Sequence, residues 1–202
     1  MPRRFFARPS TAVAPELLGR VLVRILSNGT RVSVRLVEVE AYGPDDAASH
    51  AFRGRTARNA VMFGPPGHLY VYFTYGRHFC ANVVTASAGV GSAVLLRAAE
   101  PLEGLEVMAA NRGLGAPRLL CSGPGRLAQA LGLDRLDDGA DLVLGPRLQI
   151  RAGRPIAADR IARSARVGLR VGTRERWRYF ERDSPFVSPG RPSASFTGSR
   201  GS

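Results

Sequence analysis

Val21-Leu22-Val23-Arg24-Ile25-Leu26, then Ser27-Asn28-Gly29-Thr30, then Arg31-Val32-Ser33-Val34-Arg35-Leu36-Val37-Glu38-Val39-Glu40 is the stretch on which the fold turns. The first run is an apolar, β-branched strand, and Asn-Gly is a strong short-range signal for a hairpin. The return strand, Arg31 to Glu40, breaks its own pattern. Val32, Val34 and Leu36 share one face at period two. Carried on, that period puts Glu38 and Glu40 on the apolar face and turns Val37 and Val39 away. Either a bulge shifts the register or a core-facing row ends in carboxylates. Both are unusual, and both are associated with functional sites.

Working outward, residues 1–10 read as a basic arm and Pro15-Glu16-Leu17-Leu18-Gly19 as a short helical turn with a glycine stop. Residues 43–68 hold few apolar side chains and several Gly, Pro and Arg, which predicts a long surface loop of the kind that binds something. A second hairpin follows, His68 to Thr74 and Phe79 to Val84, with Tyr75-Gly76-Arg77 at its tip. Ala93 to Ala99 is a buried strand. Pro101 to Asn111 fits a helix with proline at its first position and Gly113 after its end. Ser122-Gly123-Pro124-Gly125 opens another helix, running through Leu131. Hairpins first and helices inserted late indicate a single α+β domain on an antiparallel sheet. Its expected extent is 1–188. Residues 189–202, rich in Ser, Pro, Gly and Arg, are expected to form a disordered tail.

The 202 residues contain 45% apolar side chains, enough for an ordinary core. No apolar run is long enough to span a bilayer. The start lacks the apolar segment and cleavage site of a secretory signal. Twenty-nine basic residues against 16 acids give a net charge of +13, and every one of those cations is arginine. A field of that size favours nucleic acid or an anionic membrane, and with no basic amphipathic helix in view nucleic acid is preferred. Residues 147–182 alone hold eleven Arg against three acids. Cys80 and Cys121 form no CxxC pair and are expected to be buried, reduced thiols, as in the cytoplasm. The three His and two Cys lack metal-ligand spacing, so no zinc site is expected.

Chemistry-bearing residues cluster around the two hairpins. Glu40, at a strand end beside a loop, is placed to act as a general base, with Glu38 an alternative that periodicity does not separate. Arg97 ends an apolar strand and needs a carboxylate partner, Glu40 or Glu100. Tyr75 at a hairpin tip is an exposed aromatic on a stiff support, able to wedge into a base stack. Without lysine, a Schiff base at a sugar C1′ is open only to an N-terminal amine such as that of Pro2.

Val37-Glu38-Val39-Glu40-Ala41-Tyr42 and Gly67-His68-Leu69-Tyr70-Val71-Tyr72-Phe73-Thr74-Tyr75-Gly76 resemble the alkyladenine (3-methyladenine) DNA glycosylases. Arg58-Asn59, Met62-Phe63, Phe79-Cys80-Ala81-Asn82, Leu95-Leu96-Arg97-Ala98, Glu100 to Gly104, Cys121 to Pro124 and Ser184 to Ser188 match in the same order, from about residue 5 to 188. The resemblance implies one mixed domain around a curved antiparallel sheet, with a protruding hairpin and peripheral helices. It implies a monofunctional, hydrolytic enzyme without metal or organic cofactor that flips and excises alkylated or deaminated purines. Carried over by motif, Glu40 is the base, and Arg97 and the Val167 carbonyl hold the attacking water. Tyr42, His50 and Tyr72 wall the base pocket, Asn82 crowds a guanine 2-amino group, and Tyr75 intercalates. The partner would be double-stranded DNA carrying damaged purines. The protein would be a monomer, not bound to membrane, in the cytoplasm of a bacterium and attached to the nucleoid through DNA. Two rivals are a lesion binder without catalysis and a glycosylase that also nicks DNA through Pro2. Residues 85–92 and Gly64-Pro65-Pro66 depart from the family pattern beside the hairpin.

Overall fold

In the computed structural model, residues 1–74 and 76–193 are described. The chain opens with two short helices, α1 (Arg3–Phe6) and α2 (Ser10–Leu17). The segment read as a basic arm is therefore structured. Phe6 is fully buried, because an aromatic ring here has a core to enter. The turn expected at Pro15 is the last part of α2, with Pro15 inside the helix. Proline cannot donate to the carbonyl four residues back. That carbonyl, Thr11 O, accepts from the Tyr179 hydroxyl at 3.4 Å instead.

Strands β1 (Val21–Ile25) and β2 (Arg31–Tyr42) form the expected hairpin. Its turn is closed by Gly29 N–H donating to Leu26 O at 2.9 Å, with Gly29 at φ +82°, a conformation that favours glycine. Residues 43–68 follow, then β3 (Leu69–Thr74), β4 (His78–Val84) and β5 (Ala93–Glu103). Helices α3 (Leu105–Arg112), α4 (Pro117–Leu120) and α5 (Pro124–Ala130) come next, then β6 (Leu148–Arg151), β7 (Ile161–Ser164) and β8 (Arg178–Glu181). The helix predicted from Pro101 begins only at Leu105. Pro101 pairs with Val34 inside β5, at a register shift where a missing N–H is tolerated. Gly113 caps α3 in the left-handed conformation, as expected.

All the strands pair antiparallel in one curved sheet, ordered β3-β4-β5-β2-β1-β6, with β8 joining the second half of β2 and β7 pairing β8. The fold is a single α+β domain with helices at its periphery. Leu22, Leu36, Leu69, Val83, Leu96 and Ile150 meet α2, α3 and α5 in the main core. The opposite face of β3 and β4 carries Tyr70 and Val84, packed with Ala51, Met62 and Ala93 in a smaller cluster. Residues 43–68 are thus more than a surface loop: Asp46, Ser49 and Asn59 are buried, and Ala51 and Met62 pack in that smaller cluster.

The broken alternation on β2 resolves as bulges. Leu36 pairs with Ala99 and Glu38 with Ala98, which leaves Val37 as an extra residue. Glu38 opposite Ala98 is followed by Val39 opposite Leu96, which leaves Arg97 as an extra residue on β5. Each bulge moves the side-chain phase by one. The core-facing row on β2 is Val32, Val34, Leu36, Val39, Ala41, and on β5 it is Val94, Leu96, Ala99. Glu38, Glu40 and Arg97 turn to the other face without putting a charge into the apolar core.

Candidate active site

The two carboxylates that periodicity left equivalent have different surroundings. Glu38 is completely buried and heavily bonded. Its Oε1 accepts from Arg178 Nε at 2.6 Å, Arg97 Nε at 3.1 Å and Ser188 Oγ at 3.0 Å, and its Oε2 from Ser188 N–H at 2.7 Å. Such a carboxylate holds structure together and has little lone-pair capacity left. Glu40, also fully buried, has fewer partners. Its Oε1 accepts from Val167 N–H at 2.8 Å, and its Oε2 from the Tyr42 hydroxyl at 2.9 Å and Arg97 Nη1 at 3.4 Å. Burial pushes the Glu40 carboxyl above the ordinary carboxylate range, against the opposing pull of Arg97, the Val167 N–H and the Tyr42 hydroxyl. A raised carboxylate among cavity walls is the signature of a group poised for proton chemistry. Arg97 bonds both glutamates. Glu100, its other expected partner, pairs with Arg35 at 2.6 Å.

Those three donors to Glu40, Tyr42, Arg97 and Val167, all border one cavity of about 230 Å³. Glu40 sits directly behind them, one hydrogen bond from the opening. Tyr70 and Tyr72, two apart on β3, line the wall on the face away from the main core, and their rings lie 5.6 Å apart. His50 stands at the rim with its ring 4.4 Å from that of Tyr72, and its Nδ1 lies 3.1 Å from the Tyr70 hydroxyl. Partial burial between the tyrosines, together with the Arg58 guanidinium, pulls the His50 pKa below the usual imidazole value. Burial raises the Tyr70 phenol to about 12 and that of Tyr72 higher still, so both are neutral hydroxyls. Asn82, from β4, has its amide fixed by Nδ2 donating to Tyr70 O at 3.2 Å. Thr74 at the end of β3 and Pro124 at the start of α5 complete the rim.

The structure thus brings Glu40, Arg97, Val167, Tyr42, His50, Tyr72 and Asn82 together from four strands and two loops. Tyr75, expected to intercalate, lies outside the described residues; its neighbour Thr74 borders the cavity. Cys80 lines the same cavity with its thiol pushed up by burial, and Cys121 is buried in the main core. Among the described residues, no group of three or more His, Cys, Asp or Glu is arranged to hold a metal ion.

Sequence reading missed Glu38 as the hub of the buried charge network, Ser188 as its ligand, and the pair formed by Arg166 and Asp46. Residues 189–193 lie against the site: Pro192 bridges to Val167, and Leu169 N–H donates to Ser193 Oγ at 2.8 Å.

The family description Methylpurine-DNA glycosylase (MPG) matches residues 4–185. A protein of Streptomyces avermitilis, named as a candidate 3-methyladenine DNA glycosylase, is 50% identical over 197 residues, which cover 95% of this chain and 92% of that protein. Proteins with the same name from Carboxydothermus hydrogenoformans and Burkholderia lata are 45% identical over 188 residues (93% and 98% covered) and 47% identical over 192 residues (93% and 90% covered). The chain belongs to the methylpurine-DNA glycosylase family. Its activity class is that of a DNA glycosylase, a hydrolase of base excision repair. Among the described residues no helix is long and apolar enough to cross a membrane.

Proposed function

We propose that the protein extrudes a damaged purine nucleotide of the 3-methyladenine type from duplex DNA and hydrolyses its N-glycosidic bond with water activated by Glu40. Related substrates of the same site are 7-methylguanine, hypoxanthine and ethenoadenine. The observation that carries this reading is the buried Glu40 carboxylate, hydrogen-bonded to three groups that border one aromatic cavity.

An alkylated purine carries positive charge. Its electron-poor ring is attracted to the faces of Tyr42 and Tyr72, and its leaving group needs no further protonation. Departure leaves oxocarbenium-like charge on C1′ of the sugar. The Glu40 anion stabilises that charge and takes a proton from the attacking water. Arg97 beside it favours the ionised form, and Arg97 with the Val167 carbonyl orients the water. Asn82 narrows the pocket against a guanine 2-amino group. Extrusion costs a few kcal/mol, and Tyr75 offsets part of that cost by filling the vacated stack. The enzyme is a monofunctional monomer acting on lesion-bearing DNA in a bacterial cytoplasm.

Base release from 7-methylguanine duplexes, read as strand breaks after hot alkali, tests the reading. Wild-type protein should produce breaks, and Glu40→Gln should abolish them while lesion binding survives. Normal turnover by Glu40→Gln overturns the assignment of the base. Tight binding by wild type without breaks overturns the enzyme in favour of a lesion binder.

A further inference from the structure

Among the described residues Arg166 is the largest fully buried side chain, and no step described above uses it. Its Nη1 donates to Ala41 O at 3.0 Å and bonds Asp46 Oδ2. Its Nη2 donates to Asp46 Oδ1 at 2.9 Å and Gly172 O at 3.0 Å. The guanidinium carbon lies 4.6 Å from the centre of the Tyr42 ring and 5.2 Å from that of Trp177. Three walls of the cavity therefore meet at one cation. Tyr42 stacks on it. Val167, the next residue in the chain, aims its N–H at Glu40. Asp46 heads the loop carrying Ala48 and His50, with Oδ1 accepting from Ala48 N–H and O from Ser49 N–H.

We propose that Arg166, locked by Asp46, is a positioning residue for hydrolysis: it sets the Tyr42 ring and the Val167 N–H so that both bond the Glu40 carboxylate. This inference rests on the reading of Glu40 as the base. A buried ion pair is not by itself a source of stability; what this one fixes is geometry. Lysine cannot replace it, because a point charge lacks the planar fork that grips Asp46 while lying flat on Tyr42. Removing the side chain need not release the backbone, since Ser193 N–H donates to Arg166 O at 2.8 Å and Leu169 N–H to Ser193 Oγ. Placement is lost before the fold is.

The decisive variant is Arg166→Lys, which keeps the charge. Single-turnover excision of 7-methylguanine from a duplex should fall about tenfold to a hundredfold, the range a misplacement of about 1 Å produces. Binding to a duplex with a tetrahydrofuran abasic analogue should change by less than about threefold, on the same principle that placement rather than contact is lost. The acid limb of the rate profile should move to higher pH, because a carboxylate that loses donors is protonated more easily. The groups facing Glu40 are Tyr42 and Glu38 from its own strand, Arg97 from β5, the Val167 N–H and, farther off, Tyr72 from β3 and Arg166 itself; the lysine variant keeps the sign of every one of these charges. Fluorescence of Trp177, the single tryptophan, reports whether the contact is disturbed. A wild-type rate and an unmoved acid limb overturn the proposal, as does a loss that more DNA restores or that tracks the unfolded fraction. If Arg166→Lys fails to fold, Asp46→Asn tests the same role by the same readouts. Glu40→Gln, run alongside, separates the two readings: if it excises normally the base assignment falls, and if it is inactive while Arg166→Lys is normal only the positioning role falls.

Discussion

At the scale of single residues, the site is a set of matched buried charges. Arg97, Arg166 and Arg178 face Glu38, Glu40 and Asp46, and each pairing carries hydrogen bonds, as burial of charge requires, though the Arg166 Nε has no partner among the described residues. The two glutamates differ in what their loss leaves behind. Glu38→Gln removes the negative charge that Arg97 and Arg178 share and sets an amide NH2 against the Ser188 N–H, which should lower stability by about 3–5 kcal/mol, the cost of leaving buried charge uncompensated. Glu40→Gln leaves Arg97 bonded to Glu38 and relieves a desolvated anion, so its stability should lie within about 1 kcal/mol of wild type. Denaturant unfolding of both variants checks this, and equal losses would show that the division of labour is wrong. The same network explains why alternation could not separate Glu38 from Glu40. Two residues apart on one strand, they share a face, and what distinguishes them comes from Arg97, Val167, Arg178 and Ser188, far along the chain. The pairing of Asp46 with Arg166, 120 positions apart, left no local trace at all.

At the scale of elements, the bulges at Val37 and Arg97 set the site. With Val37 kept and the bulge absent, an unbroken period of two would turn Glu38, Glu40 and Tyr42 toward Val94 and Leu96 in the core. Deleting Val37 leaves Val39 and Ala41 in phase with Leu36, so that variant should keep a cooperative thermal transition but lose excision with the local twist that aims Glu38 and Glu40, whereas Gly29→Ala should cost about 1–2 kcal/mol for a non-glycine left-handed residue and leave excision by folded protein unchanged. Circular dichroism melts and single-turnover rates test the pair. Retained excision in the Val37 deletion would refute the role given to the bulge. Local chemistry made much of this legible in advance. Asn28-Gly29 announced the first hairpin, and the broken alternation over Val37 announced a disturbance at the right place. What alternation could not decide was which strand edge receives β8, or that β5 carries a second bulge. Pro101 misled because its preference for a helix start gave way to the long pairing of β5 with β2, which accepts a proline where the register already slips.

At the scale of the whole molecule, the +13 charge is left outside, since the three buried arginines are matched by three buried carboxylates. Not all the arginines of 147–182 are free to face DNA. Arg166 and Arg178 are internal, Arg151 lies on β6 opposite Val21, and Arg147 borders a hollow beside Asn28 at the first hairpin. Exposed cations beside the cavity also come from elsewhere in the chain. Arg53 and Arg58 line a hollow sharing His50 and Tyr70 with it, and Arg126 lines one sharing Thr74, Cys80 and Pro124. DNA seated over the cavity should lay its phosphates on these three. Each phosphate contact contributes about 0.9 to the slope of log affinity against log salt. Replacing Arg53, Arg58 and Arg126 together by Gln should flatten that slope by about 3, while the same change at Arg147, Arg151 and Arg154 should leave it within about 1 of wild type. Titrations of Glu40→Gln protein onto lesion-bearing duplex at several salt concentrations measure both. Equal flattening by the two triples would mean that the duplex spreads across β6 as well, and that charge over the whole basic surface, rather than a ring around the cavity mouth, delivers DNA to the site.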